Sequence, residues 1–332
     1  MPLTQLNFQP GIDTENTPSG AEGRWIDCDK VRFRKGLPQK IGGWTKFSEA
    51  YYVGVGRALE QWFALDGSRY EALGTDRKVY VYVAGTNQDI TPIRSTDALV
   101  NAISTTTSSN IITITDTDHG AIQGDFVTLS SVSTAVAGIP ATTLDAEYQI
   151  LSIANSDAYT IQSSATANAN TGPTANCTIN YQLNIGPSIQ TFGFGWGAGF
   201  WNAGTWNTPR TTSQITLDAR LWSINNWGED LIITQKDGGT YEWDTSAGMT
   251  DNRATVVANA PTTSTLSLVS TETRHVVCMG TETAIANTAT QDKMFIRWSD
   301  QENYNQWTPN VTNSAGSQRI AGGSEIRCAR PA

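Results

Sequence analysis

Short runs of alternating apolar and polar side chains, separated by turn residues, dominate the chain and predict β-strands. Three stretches share one pattern: residues 70–85, 231–246 and 294–309 each read as a strand, a polar turn and a second strand. Each follows another short apolar run. About four strands in roughly 40 residues is the unit of a β-propeller blade, so this spacing predicts a propeller-like domain. A β-sandwich stays open as the alternative.

The region between the first and second of these units has its own strand pattern. Isoleucine and threonine alternate over residues 111–115, and further strands are indicated near 125–129, on both sides of 155–157, and at 176–186. Five or six strands in about 90 residues indicate a small β-barrel or β-sandwich inserted into the first domain.

These patterns together predict an all-β chain with three parts. Residues 1–50 form an extended N-terminal segment. Residues 51–94 and 186–332 form the propeller-like domain, which we expect to be incomplete within these 332 residues because the chain stops inside what reads as a further blade. Residues 95–185 form the inserted small β domain.

The N-terminal segment contains one strand-like run, residues 30–36, in which basic and apolar side chains alternate. Arg32 and Arg34 share one face of that strand. They form either a solvated strand face or a salt-bridging surface between subunits, and we name both as candidate interface residues.

Composition supports the β prediction and narrows the partners. The chain is rich in Thr, Ser, Asn, Gly and Ala, which favours strands and turns, and its 11 Trp and 10 Tyr argue against disorder. Residues 95–209 contain no Lys or Arg, and they hold a substantial part of the net charge of −9. An acidic region repels nucleic-acid phosphates and anionic lipid, but DNA could slide along an acidic wall without sticking to it.

Targeting signals are not indicated. The first residues lack the basic and apolar regions of a signal peptide, and no apolar run approaches the roughly 20 residues that span a bilayer. We therefore expect no membrane anchor.

The two histidines do not indicate catalysis. His119 follows Asp118 in a turn-like Asp-His-Gly sequence, where a role in backbone geometry is favoured over a role as a base. His275 precedes an apolar run and has no partner close in sequence, which is typical of a core or interface histidine.

The cysteines and acidic pairs also favour structural roles. Glu229 and Asp230 could form a glycosidase pair, but neighbouring turn residues favour solvent-facing carboxylates. Cys278 lacks the flanking sequence of a nucleophile. The cysteines are widely separated, so we expect reduced thiols and no metal site. They are Cys28, Cys177, Cys278 and Cys328. The sequence also has no phosphate-binding glycine loop and no dinucleotide-binding motif, so we expect no cofactor.

Residues 193–207 hold five glycines, five aromatic side chains and no charge. The rings could stack on a carbohydrate, enter a membrane or pack between subunits. Asn202 and Asn207 are the only polar groups placed to orient a sugar, and Arg210 is the nearest basic residue, whereas a membrane site requires flanking basic residues. Packing is favoured, because glycine allows close backbone approach while aromatic rings fill the gaps. The candidate interface residues are Trp196, Phe200, Trp201 and Trp206.

Three stretches resemble the tail nozzle proteins of short-tailed, podovirus-type bacteriophages, a family also called tail tubular protein B or tail hub. They are residues 31–47, residues 193–207, and residues 295–309, where Arg297-Trp298-Ser299-Asp300 and Trp307-Thr308-Pro309 match the family's propeller blades. The insertion is similar to small β modules found in phage structural proteins.

The resemblance implies a virion structural protein, assembled in the host cytoplasm, without catalytic residues. It implies six copies around an axis that contact the adaptor, or head–tail connector, and tail fibre or tip proteins. Genomic DNA would pass through the channel without sequence-specific binding. Two other functions stay open from the residues alone: a carbohydrate-binding (receptor-binding) tail module and a β-propeller glycosidase.

Overall fold

The computed structural model describes residues 9–43, 45–46, 51–189, 218–249 and 252–330. The chain divides into two compact units, residues 1–49 and 50–332. In the described part, the α-helical content is one short turn, Ala141–Leu144, and two 3-10 turns lie at Thr245–Ala247 and Thr288–Thr290. The predicted all-β fold class is confirmed.

The N-terminal unit contains two small sheets. Strand β1 (Gln9–Ile12) pairs in parallel with β2 (Arg24–Trp25), and β3 (Val31–Arg34) pairs antiparallel with β4 (Leu37–Lys40). The β3–β4 turn places Lys35 and Gly36 at φ of 51° and 80°. Two successive positive φ angles are typical of the two-residue hairpin turn whose twist matches the flanking strands.

The second unit begins with a four-stranded antiparallel sheet, blade 1, whose strands follow one another in chain order. Its strands are β5 (Gly56–Phe63), β6 (Arg69–Thr75), β7 (Val79–Val83) and β8 (Thr86–Asp89).

The next eight strands form one sheet in the order β15-β10-β11-β14-β13-β12-β16-β9. Those strands are β9 (Ile93–Leu99), β10 (Ile103–Thr105), β11 (Ile111–Thr115), β12 (Phe126–Ser130), β13 (Glu147–Asn155), β14 (Ala158–Gln162), β15 (Thr171–Thr174) and β16 (Cys177–Gln182). Alternate side chains from most of these strands meet in one core, including Ile112, Leu129, Ile161 and Ile179. Register shifts in β13 allow the sheet to curl around that core, while the end strands β15 and β9 do not pair with each other in the described structure.

Two more four-stranded antiparallel sheets follow, each again in chain order. Blade 2 contains β17 (Trp222–Trp227), β18 (Asp230–Gln235), β19 (Thr240–Trp243) and β20 (Thr255–Val256). Blade 3 contains β21 (Leu266–Val269), β22 (Val276–Met279), β23 (Phe295–Trp298) and β24 (Gly316–Arg319).

Blade 2 packs between the other two blades and is apolar on both faces. Leu231 and Ile233 point towards blade 1, where they join a core that includes Val81. Ile232 points the opposite way and packs in a second core with Val276 of blade 3. The first strand of blade 2 contacts the first strands of both neighbours, as successive propeller blades do.

The third predicted hairpin is wrong in its second half. The prediction placed a strand near Trp307, but residues 299–315 form a long connection and the last strand is β24. Trp307 is fully buried, packs in the core between blades 2 and 3, and donates its indole N–H to the Tyr304 carbonyl at 2.6 Å. An aromatic side chain in that loop therefore fills the core without belonging to a strand. Residues 50–332 form one compact unit, which is not divided at residues 95 and 185. The predicted boundaries of the insertion therefore stay predictions.

Candidate functional site

The predicted interface residues fall into two groups. Arg32 and Arg34 are exposed on the same face of the β3–β4 hairpin, while Val31 and Phe33 point the other way and are half-buried. The Arg32 Nε donates to the Gln39 side chain at 3.1 Å across the hairpin. The two guanidinium groups thus form an accessible basic face, and their contact with another subunit stays a prediction.

The aromatic members of the predicted interface cannot be placed on this framework. Trp196, Phe200, Trp201 and Trp206 lie outside the described residues.

His119 is held at both ring nitrogens. It is buried, its Nδ1 accepts the Ala121 N–H at 3.0 Å, and its Nε2 lies 3.2 Å from the Asn155 carbonyl oxygen. This geometry requires the tautomer protonated on Nε2. Asp118 is at φ of 53° and its N–H donates to Asp157 at 3.1 Å, so the neighbouring pair builds a turn.

The buried thiols are poor nucleophiles. Cys278 is fully buried, lies 3.6 Å from the Thr240 hydroxyl, and has its pKa raised to about 11 by burial. Burial raises the pKa of Cys177 to about 11 as well. A thiol with such a pKa is almost entirely protonated at neutral pH, and the thiolate is the reactive form.

Glu229 and Asp230 bind backbone groups and do not converge on a cleft. The Glu229 carboxylate accepts the Leu65 N–H at 2.6 Å, and Asp230 accepts both the N–H and the hydroxyl of Thr245 at 3.0 Å. His275 similarly contacts the Ser299 carbonyl at 2.8 Å. Each group that sequence reasoning weighed for catalysis therefore has a structural contact.

Part of the insertion's acidic charge is used inside the protein. Asp116 is buried and accepts the Tyr181 hydroxyl at 2.6 Å. Asp125 is also buried and accepts the N–H groups of Ile122 and Ile185 at 2.8 Å, while burial raises its pKa. These carboxylates hold the insertion together and contribute little to its outer surface.

A four-charge cluster, the junction cluster, ties the insertion to the blades. Lys78 of blade 1 is buried and contacts Asp89 at 2.7 Å and Glu147 of the insertion at 2.5 Å. Arg253 lies 3.0 Å from Asp89 and 3.6 Å from Glu147, and Gln182 donates to Glu147 at 2.6 Å. Two cations face two carboxylates, so the cluster is electrically balanced and each buried charge has a partner.

A group of exposed apolar side chains on blade 1 was missed in the sequence. Leu59, Phe63 and Leu65 are 71%, 61% and 95% exposed, and they lie on or beside the first strand of blade 1. Tyr51 and Tyr52, just before that strand, are also exposed. The signal that could have revealed this feature is the run of residues 58–63, Ala-Leu-Glu-Gln-Trp-Phe. In a strand, Ala58 and Trp62 point to one side and Leu59 and Phe63 to the other, so both sides carry apolar side chains.

Neither a metal site nor a membrane span emerges from the described ranges. No group of three or more His, Cys, Asp or Glu side chains there could hold a metal ion. None of the helices described is long and apolar enough to cross a membrane.

No protein-family model and no curated protein matches the chain. Among solved structures, the chain is similar to an endosialidase of phage phi92, with 12% sequence identity and a TM-score of 0.27. The match covers 87% of this chain and 41% of that chain, so this chain spans less than half of the endosialidase's length. A likeness this low transfers neither a fold nor an activity.

Proposed function

We propose that this chain is a structural protein of a phage virion: a tail nozzle or hub subunit that assembles into a ring of six copies. The ring continues the DNA channel below the portal and adaptor, and it conducts or retains DNA for ejection. The adaptor, tail fibre or tip proteins and the passing genome are its partners. The resemblance of three separate stretches to nozzle proteins supports this proposal.

The observation that carries the proposal is the exposed apolar surface on blade 1. Large apolar patches on a folded surface mark contacts with other molecules. An enzyme or a sugar-binding module would instead need convergent polar groups in a cleft. The groups considered for such chemistry, such as His119, Cys278 and Glu229, make internal contacts.

Native mass spectrometry and electron microscopy of the purified chain test the proposal. We expect closed rings of six copies. A chain that stays monomeric at micromolar concentration, alone and with the adaptor protein, would contradict the ring.

The two rival functions have their own assays. Specific binding on a glycan array would favour the receptor-binding module. Hydrolysis of a glycoside that is lost when a carboxylate is replaced would favour the glycosidase. The nozzle proposal expects neither signal.

A further inference from the structure

The junction cluster holds the amine of Lys78 against two carboxylates in a desolvated position. The Lys78 Nζ lies 2.7 Å from Oδ2 of Asp89 and 2.5 Å from Oε1 of Glu147. The same nitrogen lies 4.2 Å from the centre of the Phe126 ring, and the lysine side chain is only 4% exposed. A lysine usually keeps its amine in water. Here the amine is instead fixed in contact with two acids.

The second oxygen of Asp89 faces two hydrogen-bond donors. Its Oδ1 accepts the Thr91 N–H at 2.9 Å and lies 3.0 Å from Nη1 of Arg253. The carboxyl carbon of Asp89 therefore has an amine beside one oxygen and two donors on the other. Acyl-transfer sites have the same arrangement, in which fixed donors stabilise the oxygen that becomes negatively charged when a nucleophile attacks.

We propose that Lys78 and Asp89 condense into an intramolecular amide, with Glu147 as the group that transfers the protons. Lys78 directly precedes β7 and Asp89 is the last residue of β8, so the bond would close the β7–β8 hairpin of blade 1 covalently. The bond forms within one folded chain. The proposal therefore goes beyond the proposed function and does not depend on the ring.

The reaction balances without any other reactant. Glu147 takes a proton from the Lys78 ammonium, and the lone pair of the neutral amine forms a bond to Cγ of Asp89. Oδ1 then carries the negative charge, next to Arg253 and the Thr91 N–H. Glu147 passes two protons in succession from the nitrogen to Oδ2, and the Cγ–Oδ2 bond breaks as water leaves. The amide keeps the third proton, and Glu147 ends as the carboxylate it was.

The environment favours the amide over the ion pair. A buried ion pair carries a desolvation cost that its attraction may only just repay, and the amide removes both charges. Arg253 and Glu147 remain, 3.6 Å apart, so the cluster stays balanced. Well-oriented intramolecular reactants reach effective concentrations of about 10⁵–10⁸ M, which separate molecules in water do not. The Glu147 side chain is 36% exposed, so the released water has a way out.

The mass of the intact chain, measured in denaturant, tests the proposal. We expect the purified parent chain to be lighter than its sequence by one water molecule. Lys78→Arg is the matched control, because it keeps the positive charge but its guanidinium is not a nucleophile; its mass should equal that of its sequence. Glu147→Gln keeps the shape but cannot accept the proton. In a time course after purification, it should lose water about a hundredfold more slowly or slower still.

Tryptic peptides locate the bond. Trypsin does not cleave after an acylated lysine, and residues 79–93 contain no Lys or Arg. The digest should therefore contain a single peptide from Lys78 to Arg94 that is lighter by one water. Lys293 is an internal control in the same digest: its amine contacts the Asp237 carboxylate, but both side chains are about a third exposed. Trypsin should cleave after Lys293 as after any free lysine.

Each result decides the proposal. A parent mass equal to that of its sequence would overturn it and leave the proposed function standing. A bond from Lys78 to Glu147 would join the peptide ending at Arg94 to the peptide that begins at residue 95, and would overturn the role of Asp89. A water loss that persists in Lys78→Arg would overturn the role of the lysine. A linked chain that forms no rings would support the amide and contradict only the ring.

Discussion

The packing of blade 1 on blade 2 depends on a missing side chain, and replacing Gly74 tests it. Gly74 lies in strand β6, and the Trp222 ring of blade 2 rests directly against it. A Cβ at position 74 would lie 2.7 Å from Cδ1 and 2.9 Å from Cγ of that ring, closer than carbon atoms tolerate. Gly74 does not have a positive φ, so alanine would meet no backbone strain.

The size of the effect follows from how firmly Trp222 is held. The ring is buried and its indole N–H donates to the Thr75 carbonyl at 2.5 Å, so it cannot rotate away without losing that bond. Overpacking of this kind costs about 1–3 kcal/mol. Alanine also has lower conformational entropy than glycine in the unfolded chain, which offsets about 0.4–1 kcal/mol of that loss in the free energy of unfolding. We therefore expect Gly74→Ala to lower the free energy of unfolding by about 1–2 kcal/mol.

Urea unfolding, followed by circular dichroism, measures this difference. Gly172→Ala is the control, because Gly172 also lies in a strand without positive φ and a Cβ there meets nothing within 4 Å. In a Trp222→Ala background, Gly74→Ala should become neutral or stabilising, because the clash partner is gone. A Gly74→Ala variant as stable as Gly172→Ala in the parent chain would contradict a clash with Trp222.

Three further predictions address the interior and the charges. Lys78→Met should lower the free energy of unfolding by about 1–3 kcal/mol. The loss is smaller than for a fully buried ion pair, because Glu147 is about a third exposed and Arg253 still lies beside both Asp89 and Glu147. An unchanged unfolding midpoint would contradict this. Of the thiols, exposed Cys328 should react with a disulfide reagent in the native state, whereas Cys177 and Cys278 should react only on unfolding; rapid native labelling of all thiols would refute their burial. Hydrogen bonds from the Ser314 N–H and hydroxyl lower the pKa of Asp300 below that of an ordinary Asp carboxyl. Its stabilising contribution is therefore fully present above the ordinary Asp pKa and is lost as the pH falls through the lowered pKa. In acid unfolding experiments, the stability difference between the parent and Asp300→Asn should shrink over that fall in pH.

The strand pattern could be predicted where each strand alternates and ends in a recognisable turn. Blades 1 and 2 satisfy this condition: residues 70–85 became β6 and β7, and residues 231–246 contain β18 and β19. Blade 3 does not, because its strands are only four residues long and its last connection is long. A buried loop tryptophan, Trp307, has the same local signature as one in a strand end.

Contacts between distant residues could not be predicted from local patterns. Lys78, Glu147 and Arg253 are separated by more than 60 residues at each step, yet they meet in one cluster. In the sequence each of them looks like an ordinary surface charge. Their meeting depends on how the insertion lies against blade 1, which is decided by tertiary packing.

This matters for the idea that an acidic wall lets DNA slide. The insertion has seven acidic side chains in its sequence, but Asp116 and Asp125 are buried and Glu147 faces two cations. Only the remaining four, Asp97, Asp118, Asp145 and Asp157, lie at least partly at the surface without such a cation, so little more than half of the insertion's acidic side chains contribute to its outward charge. Salt screens such charges over about 8 Å at physiological ionic strength. In the proposed ring, the insertion would therefore repel DNA only where these aspartates came within about one screening length of it.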